Sequence, residues 1–176
     1  SIGSNPLPTL DKGLARLKRS SQKLELMADR VRYQVGQKDI KGAVASLKSM
    51  VSLGKRKGKN WARYAEGIIG EGTGRTKGAR IAYQKAAKGR SRLPQAELAL
   101  ALLEGETSGA DVDLLKKLVS KGQPPEARFH LGKALLKGET PAEGLAILED
   151  LLWNRSFLGD PAELALAVSD GYSRTD

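Results

Sequence analysis

Apolar residues recur three or four positions apart along most of the chain, which is the spacing that places them on one face of an α-helix. Four stretches share a finer pattern, in which a bulky apolar residue precedes a small one and another apolar residue follows three positions later. The four trios are Tyr64-Ala65-Ile68, Leu98-Ala99-Leu102, Leu131-Gly132-Leu135 and Leu164-Ala165-Val168. Because their small residues lie 34, 33 and 33 positions apart, the pattern predicts a helical repeat of that length.

Between these helices the same spacing predicts second helices, which cover 77–88, 110–121 and 141–153. Pro141 stands where a helix is expected to begin, and Gly138 where one is expected to end. No stretch alternates apolar and polar residues as a half-buried strand does. We therefore expect an all-α fold. Since small residues let paired helices approach closely, the expected arrangement is an α-solenoid of antiparallel helical hairpins stacked into a right-handed superhelix.

The first sixty residues follow this pattern less closely. Residues 1–10 are expected to form a flexible arm, and helices are predicted over 11–36 and 39–54. The residue 34 positions before Ala65 is Val31, which is not small, so the regular spacing of small residues does not extend to this part of the chain. We therefore expect 11–60 to be a basic helical pair, either a degenerate repeat or a cap, and 61–176 to hold the repeats with a final capping helix.

A helical hairpin that recurs every 33–34 residues resembles the tetratricopeptide repeat. Trp61 matches the leading Trp of that motif, Ala65 its first small position, and Ala79-x3-Tyr83-x2-Ala86 its second-helix triad. The stretch 64–89, which ends in YQKAAKG, is similar to the Sel-like subclass of these repeats.

That resemblance implies a non-enzymatic adaptor that binds a protein partner on a preformed solenoid surface. Sel-like proteins of similar size lie in the bacterial cell envelope, and some act as scaffolds for exopolysaccharide assembly and export. The resemblance therefore favours a periplasmic or cell-envelope location, and a cytoplasmic location stays open.

The formal charge of +10 is distributed unevenly. Residues 1–60 hold 14 Lys and Arg against 4 Asp and Glu, and residues 61–93 hold 8 against 2. Residues 94–176 hold 8 against 14. A strongly basic first half favours an anionic partner, so the alternative function is that of a polyanion-binding module for an acidic polysaccharide or a nucleic acid.

Ten basic residues are the candidate contacts for such a partner. They are Lys12, Arg16, Arg19, Lys23, Lys55, Arg56, Lys57, Lys59, Arg75 and Lys77. The first four are spaced by four, three and four positions, which predicts one exposed face of a single helix. The run KRKGKN (55–60) is interpreted either as a solvated loop between hairpins or as part of the polyanion surface.

The segment GEGTGRTKG (70–78) raises a nucleotide site as a hypothesis, since glycines and cations can surround a phosphate. It lacks the Gly-Lys-Ser/Thr of a P-loop and the spacing of the dinucleotide fingerprint. The preceding residues are also expected to be helical. We interpret it as a turn between two helices, with Arg75 and Lys77 extending the basic surface.

Six aromatic residues and one histidine are the remaining candidates for a core or functional role. Trp61, Tyr64, Tyr83 and Phe129 are expected in the core, while Trp153 and Phe157 either cap the array or offer a partner an apolar anchor. The chain has no Cys and one His, His130, which we expect on a helix surface. We therefore predict no enzyme activity, no cofactor and no metal site. No apolar run is long enough to predict a transmembrane segment.

Overall fold

The computed structural model describes residues 6–53, 55–108, 112–121, 126–154 and 160–175, without the side chains of 55, 56 and 104–108. This described part is helical and contains no strand, which confirms the all-α prediction. The helices are α1 (Leu7–Arg16), α2 (Ser20–Gly36), α3 (Ile40–Leu53), α4 (Lys55–Gly72), α5 (Thr76–Ala87), α6 (Pro94–Ser108), α7 (Val112–Ser120), α8 (Ala127–Lys137), α9 (Pro141–Trp153) and α10 (Pro161–Thr175).

The chain divides into two compact units, residues 1–97 (unit 1) and 98–176 (unit 2). This division falls within α6, and not at residue 60, where we expected the basic N-terminal pair to end. Both α2 and α3 pack against α4, so the basic pair belongs to the same unit as α4 and α5.

The single helix predicted over 11–36 is wrong, because α1 ends at Arg16 and α2 begins at Ser20. Leu17 has extended backbone, with ψ near 129°, and α1 folds back along α2. Asp11 forms an ion pair with Arg30. Residues 17–19 include no Pro or Gly, so the helical spacing of basic and apolar residues continues through the break. Residues 7–10 of the expected arm also lie in α1.

Three pairs of consecutive helices are joined by turns of equal length. Three residues connect α2 to α3, α4 to α5 and α8 to α9; these turns are 37–39, 73–75 and 138–140. In each pair the fourth residue of the second helix is small and buried, namely Ala43, Ala79 and Gly144. The eleventh residue of that helix is also buried, namely Met50, Ala86 and Leu151.

Close approach of the helices explains the small residues in two of these pairs. A Cβ atom at Gly70 of α4 would lie 3.1 Å from the Cβ of Ala79 in α5. In unit 2, a Cβ at Gly144 of α9 would lie 2.6 Å from the carbonyl oxygen of Gly132 in α8. In both of these pairs the eighth residue of the second helix covers a glycine of the first helix, as Tyr83 does over Gly67 and Leu148 over Gly132.

The four trios are only partly equivalent in the structure. Their leading bulky residues are all buried, namely Tyr64, Leu98, Leu131 and Leu164. Among the small residues, Ala65 and Gly132 are buried, Ala99 is half-buried and Ala165 is exposed. The difference arises because no helix of the described chain covers the Ala165 side of α10. The small residue of a trio is therefore buried only where a following helix packs against its side of the first helix.

Candidate functional site

The basic run KRKGKN lies in the first turns of α4, so its interpretation as a loop between hairpins is wrong. A Cβ at Gly58 would lie 2.4 Å from the carbonyl oxygen of Met50, so the backbones of α3 and α4 almost touch there. This contact turns Gly58 inward and leaves Lys57 and Lys59 exposed on either side of it. Lys55 begins the helix, and its side chain lies outside the described residues.

A second basic segment, which follows α5, is held against this start of α4. Asn60 is only 6% exposed, and its side-chain amide donates a 2.8 Å hydrogen bond to the carbonyl oxygen of Ser91. Lys88 and Arg90, next to Ser91 in the chain, are exposed. Asn60 thus joins two groups of cations that are about thirty residues apart in sequence. We call Lys57, Lys59, Lys88 and Arg90 the basic end of unit 1.

Helices α2 and α4 begin at the same end of unit 1. Arg32 of α2 donates to the hydroxyl of Tyr64 in α4. Farther along both helices, a Cβ at Gly72 would meet the side chain of Val35. These two contacts show that α2 and α4 run in the same direction. Arg19, which precedes α2, and Lys23, in its first turn, therefore lie at the same end of unit 1 as the start of α4.

The four-residue face predicted for Lys12, Arg16, Arg19 and Lys23 is wrong. Lys12 and Arg16 lie on α1, Arg19 precedes α2, and Lys23 lies on α2. Because α1 folds back along α2, their spacing in sequence no longer places them on one helix. Arg16 ends α1 beside the short connection to α2, so it stays near Arg19, whereas Lys12 lies one turn farther back along α1.

Arg75 and Lys77 do not belong to the basic end either. Both are exposed, and both follow the opposite end of α4. Since α4 has 18 residues and each adds 1.5 Å, its two ends are about 27 Å apart. The candidate contacts in 55–59 and in 75–77 therefore form two separate groups.

The segment 70–78 forms the turn that we expected, and its hydrogen bonds argue against a phosphate site. The N–H of Arg75 donates to the carbonyl of Gly70 (2.8 Å), and the N–H of Gly74 to that of Glu71 (2.9 Å). Gly74 has a φ of 72°, so these bonds form the Schellman motif that ends many helices. The N–H groups of Gly74 and Arg75 are therefore already bonded to carbonyls of α4, so these two donors do not surround an anion.

The glycines of this segment serve three different purposes. Gly74 supplies the positive φ of the turn, while Gly70 lies within α4, where it allows the close approach of Ala79. Gly78 lies in α5, and an added Cβ would meet nothing within 4 Å. A nucleotide site would require these glycines to act together, and their separate positions show that they do not.

Trp61, Tyr64 and Tyr83 are 8%, 2% and 1% exposed, which confirms that they are core residues. The rings of Tyr64 and Tyr83 lie 5.7 Å apart, and the Tyr83 hydroxyl donates to the carboxylate of Glu71. Burial, together with this hydrogen bond, raises the pKa of Tyr83 well above its usual value. The phenol is therefore neutral and acts as a structural donor.

Of the two candidate partner anchors, Trp153 and Phe157, only Trp153 lies within the described residues. Trp153 ends α9 and is 76% exposed, which is the largest exposure among the large hydrophobic residues of the described chain. Phe157 lies outside the described residues. Phe129 is 2% exposed, as expected for a core residue.

His130 is half-buried on α8, although we expected a surface position. Its ring packs edge-on against Phe129, with 5.5 Å between the ring centres. Burial is the main cause that lowers the pKa of His130 below 6.5, and Lys133 adds to it. Carboxylates at Glu126 and Glu163 act in the opposite direction.

We expect His130 to make the stability of the fold pH-dependent. The unfolded chain takes up a proton at this residue near pH 6.5, while the folded chain resists it until a lower pH. The free energy of unfolding should therefore fall as the pH drops below about 6.5 and stop falling below the folded pKa. Urea unfolding at about pH 7.5 and 5.5 would measure this, with His130→Gln as the variant that lacks the effect. An equal pH dependence in the two proteins would contradict the prediction.

Within the described residues, no group of three or more His, Asp or Glu side chains is placed to hold a metal ion. In the same part of the chain, no helix combines the length and the hydropathy that crossing a membrane requires. No protein-family model matches the chain, and no curated protein or solved structure matches it either.

Proposed function

We propose that the protein is a non-enzymatic interaction scaffold built from tetratricopeptide-like helical hairpins, of the Sel-like kind in 64–89. The observation that carries the proposal is the recurrence of one packing plan in three helix pairs. Each pair has a three-residue turn, a small buried fourth residue in its second helix and a buried eleventh residue. A recurring plan of this kind is typical of repeat proteins, in which each unit packs on its neighbour.

The contacts between paired helices support an antiparallel hairpin. Moving forward along α4 corresponds to moving backward along α5, since Gly67 meets Tyr83 and Gly70 meets Ala79. The α8/α9 pair shows the same order. We extend the proposal to an α-solenoid with a right-handed superhelix, with α2 and α3 as a degenerate repeat.

Three exposed apolar side chains are suited to contact a protein partner on such a scaffold. They are Ile81 (51% exposed), Trp153 (76%) and Leu166 (71%). Aromatic side chains such as Trp supply much of the binding energy at protein interfaces. A periplasmic or cell-envelope complex, such as one for exopolysaccharide assembly or export, is the setting that the resemblance favours.

Site-specific photo-crosslinking in the native cell tests the scaffold proposal. A photoreactive amino acid would replace Ile81, Trp153 or Leu166 in turn, with the exposed polar positions Gln37 and Lys137 as controls. We expect at least one apolar position to give a discrete product of higher mass that both controls lack. Equal products from all five positions, or no product from any of them, would contradict a specific protein partner.

A second candidate function, the binding of an anionic polymer, is favoured by how charge divides between the two units. Unit 1 holds 22 Lys and Arg against 7 Asp and Glu, a formal +15, and unit 2 holds 8 against 13, a formal −5. The basic end concentrates part of this charge on one surface. Titration of the full chain with labelled polyanions at several salt concentrations tests this function.

A further inference from the structure

We propose that the basic end of unit 1 binds the phosphate backbone of double-stranded nucleic acid without sequence preference. The inference rests on the second candidate function, and it names the ligand class and the surface. Three observations carry it: the placement of the cations, the burial of the aromatic rings and, within the described residues, the lack of ion pairs to these cations.

The cations come from two segments that the fold brings together. Lys57 and Lys59 project from the first turns of α4, and Lys88 and Arg90 follow α5. The buried hydrogen bond from Asn60 to Ser91 holds the two segments together at 2.8 Å. Since the segments are fixed relative to each other, the cations form a lasting surface rather than a chance cluster of side chains.

Within the described residues, these four cations are also not paired with neighbouring carboxylates. Lys57, Lys59, Lys88 and Arg90 form no ion pair within the described residues, whereas nearby Arg92 is paired with Glu97 at 3.6 Å. Unpaired Lys and Arg on a rigid surface can each replace a counterion on a phosphate. That release of counterions supplies most of the free energy of sequence-independent binding.

The aromatic residues of unit 1 favour a duplex over a single strand. Proteins that hold single strands stack the bases on exposed aromatic rings. Trp61, Tyr64 and Tyr83 are all buried, and the half-buried Tyr33 lies near the far end of α2. The basic end therefore offers charge without a stacking platform, which suits a ligand whose bases are already paired.

The high charge density of a duplex distinguishes it from an acidic polysaccharide. Double-stranded DNA carries about one charge per 1.7 Å along its axis. Among the described residues, the basic end presents no exposed aromatic ring to a sugar unit, so density of charge is the property that it can select. A polyuronate, which carries less charge per length, is expected to bind more weakly.

The experiment uses the full chain and measures fluorescence anisotropy with three labelled probes. These probes are a random 20-base-pair DNA duplex, one of its single strands and a polyuronate of similar length, each titrated at several salt concentrations. The test variant is Lys57→Gln/Lys59→Gln, and the matched control is Arg75→Gln/Lys77→Gln. Both variants remove two exposed charges next to α4, one at each end of that helix.

We expect the duplex to bind most tightly and the test variant to weaken it roughly 10-fold at low salt. The slope of log affinity against log salt should fall by about 2, since each phosphate contact contributes about 0.9. The control variant should change the affinity by less than about 2-fold. Circular dichroism of both variants should match that of the unchanged protein, because all four replaced side chains are exposed.

Equal weakening by the two variants would overturn the assignment to the basic end. Tighter binding of the single strand, or equal binding of the polyuronate, would overturn the duplex inference and leave the anionic-polymer function standing. If none of the probes binds even at low salt, the second candidate function fails as well, while the protein-partner scaffold is unaffected.

Discussion

Replacing Tyr83 with Ala should lower the free energy of unfolding of unit 1 by about 3–5 kcal/mol. The same replacement should turn Gly67→Ala from a destabilising change into a neutral or stabilising one. Tyr83 is 1% exposed, and its removal leaves a cavity between α4 and α5. A Cβ at Gly67 would lie 2.2 Å from Cε1 of the Tyr83 ring, so Gly67→Ala in the unchanged protein forces the ring to move. Overpacking of this kind costs about 1–3 kcal/mol.

Without the ring, the same methyl group has space. Gly67→Ala in the Tyr83→Ala background should then be neutral or stabilising, because Ala is favoured over Gly in a helix by about 1 kcal/mol. Urea unfolding of the two single variants and the double variant gives the coupling between them, which we expect to be about 1–3 kcal/mol in favour of the double variant.

Gly78→Ala is the control for this cycle. It also lies in a helix of unit 1, but an added Cβ would meet nothing within 4 Å. It should stabilise the protein by up to about 1 kcal/mol in both backgrounds. If Gly67→Ala is likewise independent of Tyr83, the two helices do not pack through this pair and the proposed hairpin contact is wrong.

The second large effect is expected for Gly144→Ala in unit 2. An added Cβ would lie 2.6 Å from both the carbonyl oxygen of Gly132 and the backbone nitrogen of Leu136. Backbone atoms cannot rotate away as a side chain can, so α8 and α9 have to separate. Separation also loosens Leu148, which is fully buried. We expect a loss of about 2–3 kcal/mol in the free energy of unfolding, measured by urea denaturation.

Gly171→Ala provides the comparison within the same unit. Gly171 is also a buried helical glycine, but the atom nearest to its added Cβ is Cδ1 of Leu145, at 2.8 Å. That methyl group is the end of a flexible side chain, so we expect less than about half the loss seen for Gly144→Ala. An equal loss at both positions would show that backbone contact between α8 and α9 is not the limiting factor.

Helix content and several helix bounds were predictable from the sequence because their causes are local. The second helices expected over 77–88 and 141–153 are α5 (Thr76–Ala87) and α9 (Pro141–Trp153). Pro141 suits the first turn of a helix, and the positive φ of Gly74 favours the turn that ends α4. Each signal acts within a few residues of itself, so no knowledge of the fold was needed.

The break between α1 and α2 could not be predicted in this way. The helical spacing of basic and apolar residues continues through Leu17, and no residue there disfavours a helix. The break exists because α1 packs back along α2, with Asp11 against Arg30. The four-residue basic face therefore failed for a tertiary reason, and the exposure of Ala165 has a tertiary cause as well.

The basic end was missed because its parts are distant in sequence. The charge of KRKGKN is visible in the sequence, but the residues that position the run are Gly58 and Asn60. Gly58 lies against the backbone of α3, and Asn60 donates a hydrogen bond to Ser91. No local signal could have replaced the fold here, because Gly and Asn are both common in turns and favour the interpretation as a loop. Arg75 and Lys77 were grouped with this run by composition alone, and the length of α4 separates them.

By itself, the sequence determined an all-α chain, the bounds of its clearest helices, the burial of Trp61, Tyr64 and Tyr83, and the division of charge between its halves. These properties follow from side-chain volume, polarity and local backbone preference. Only the tertiary structure decided which small residues are covered and which cations share a surface. Those outcomes depend on which helix packs on which, and such contacts join residues that local preference cannot relate.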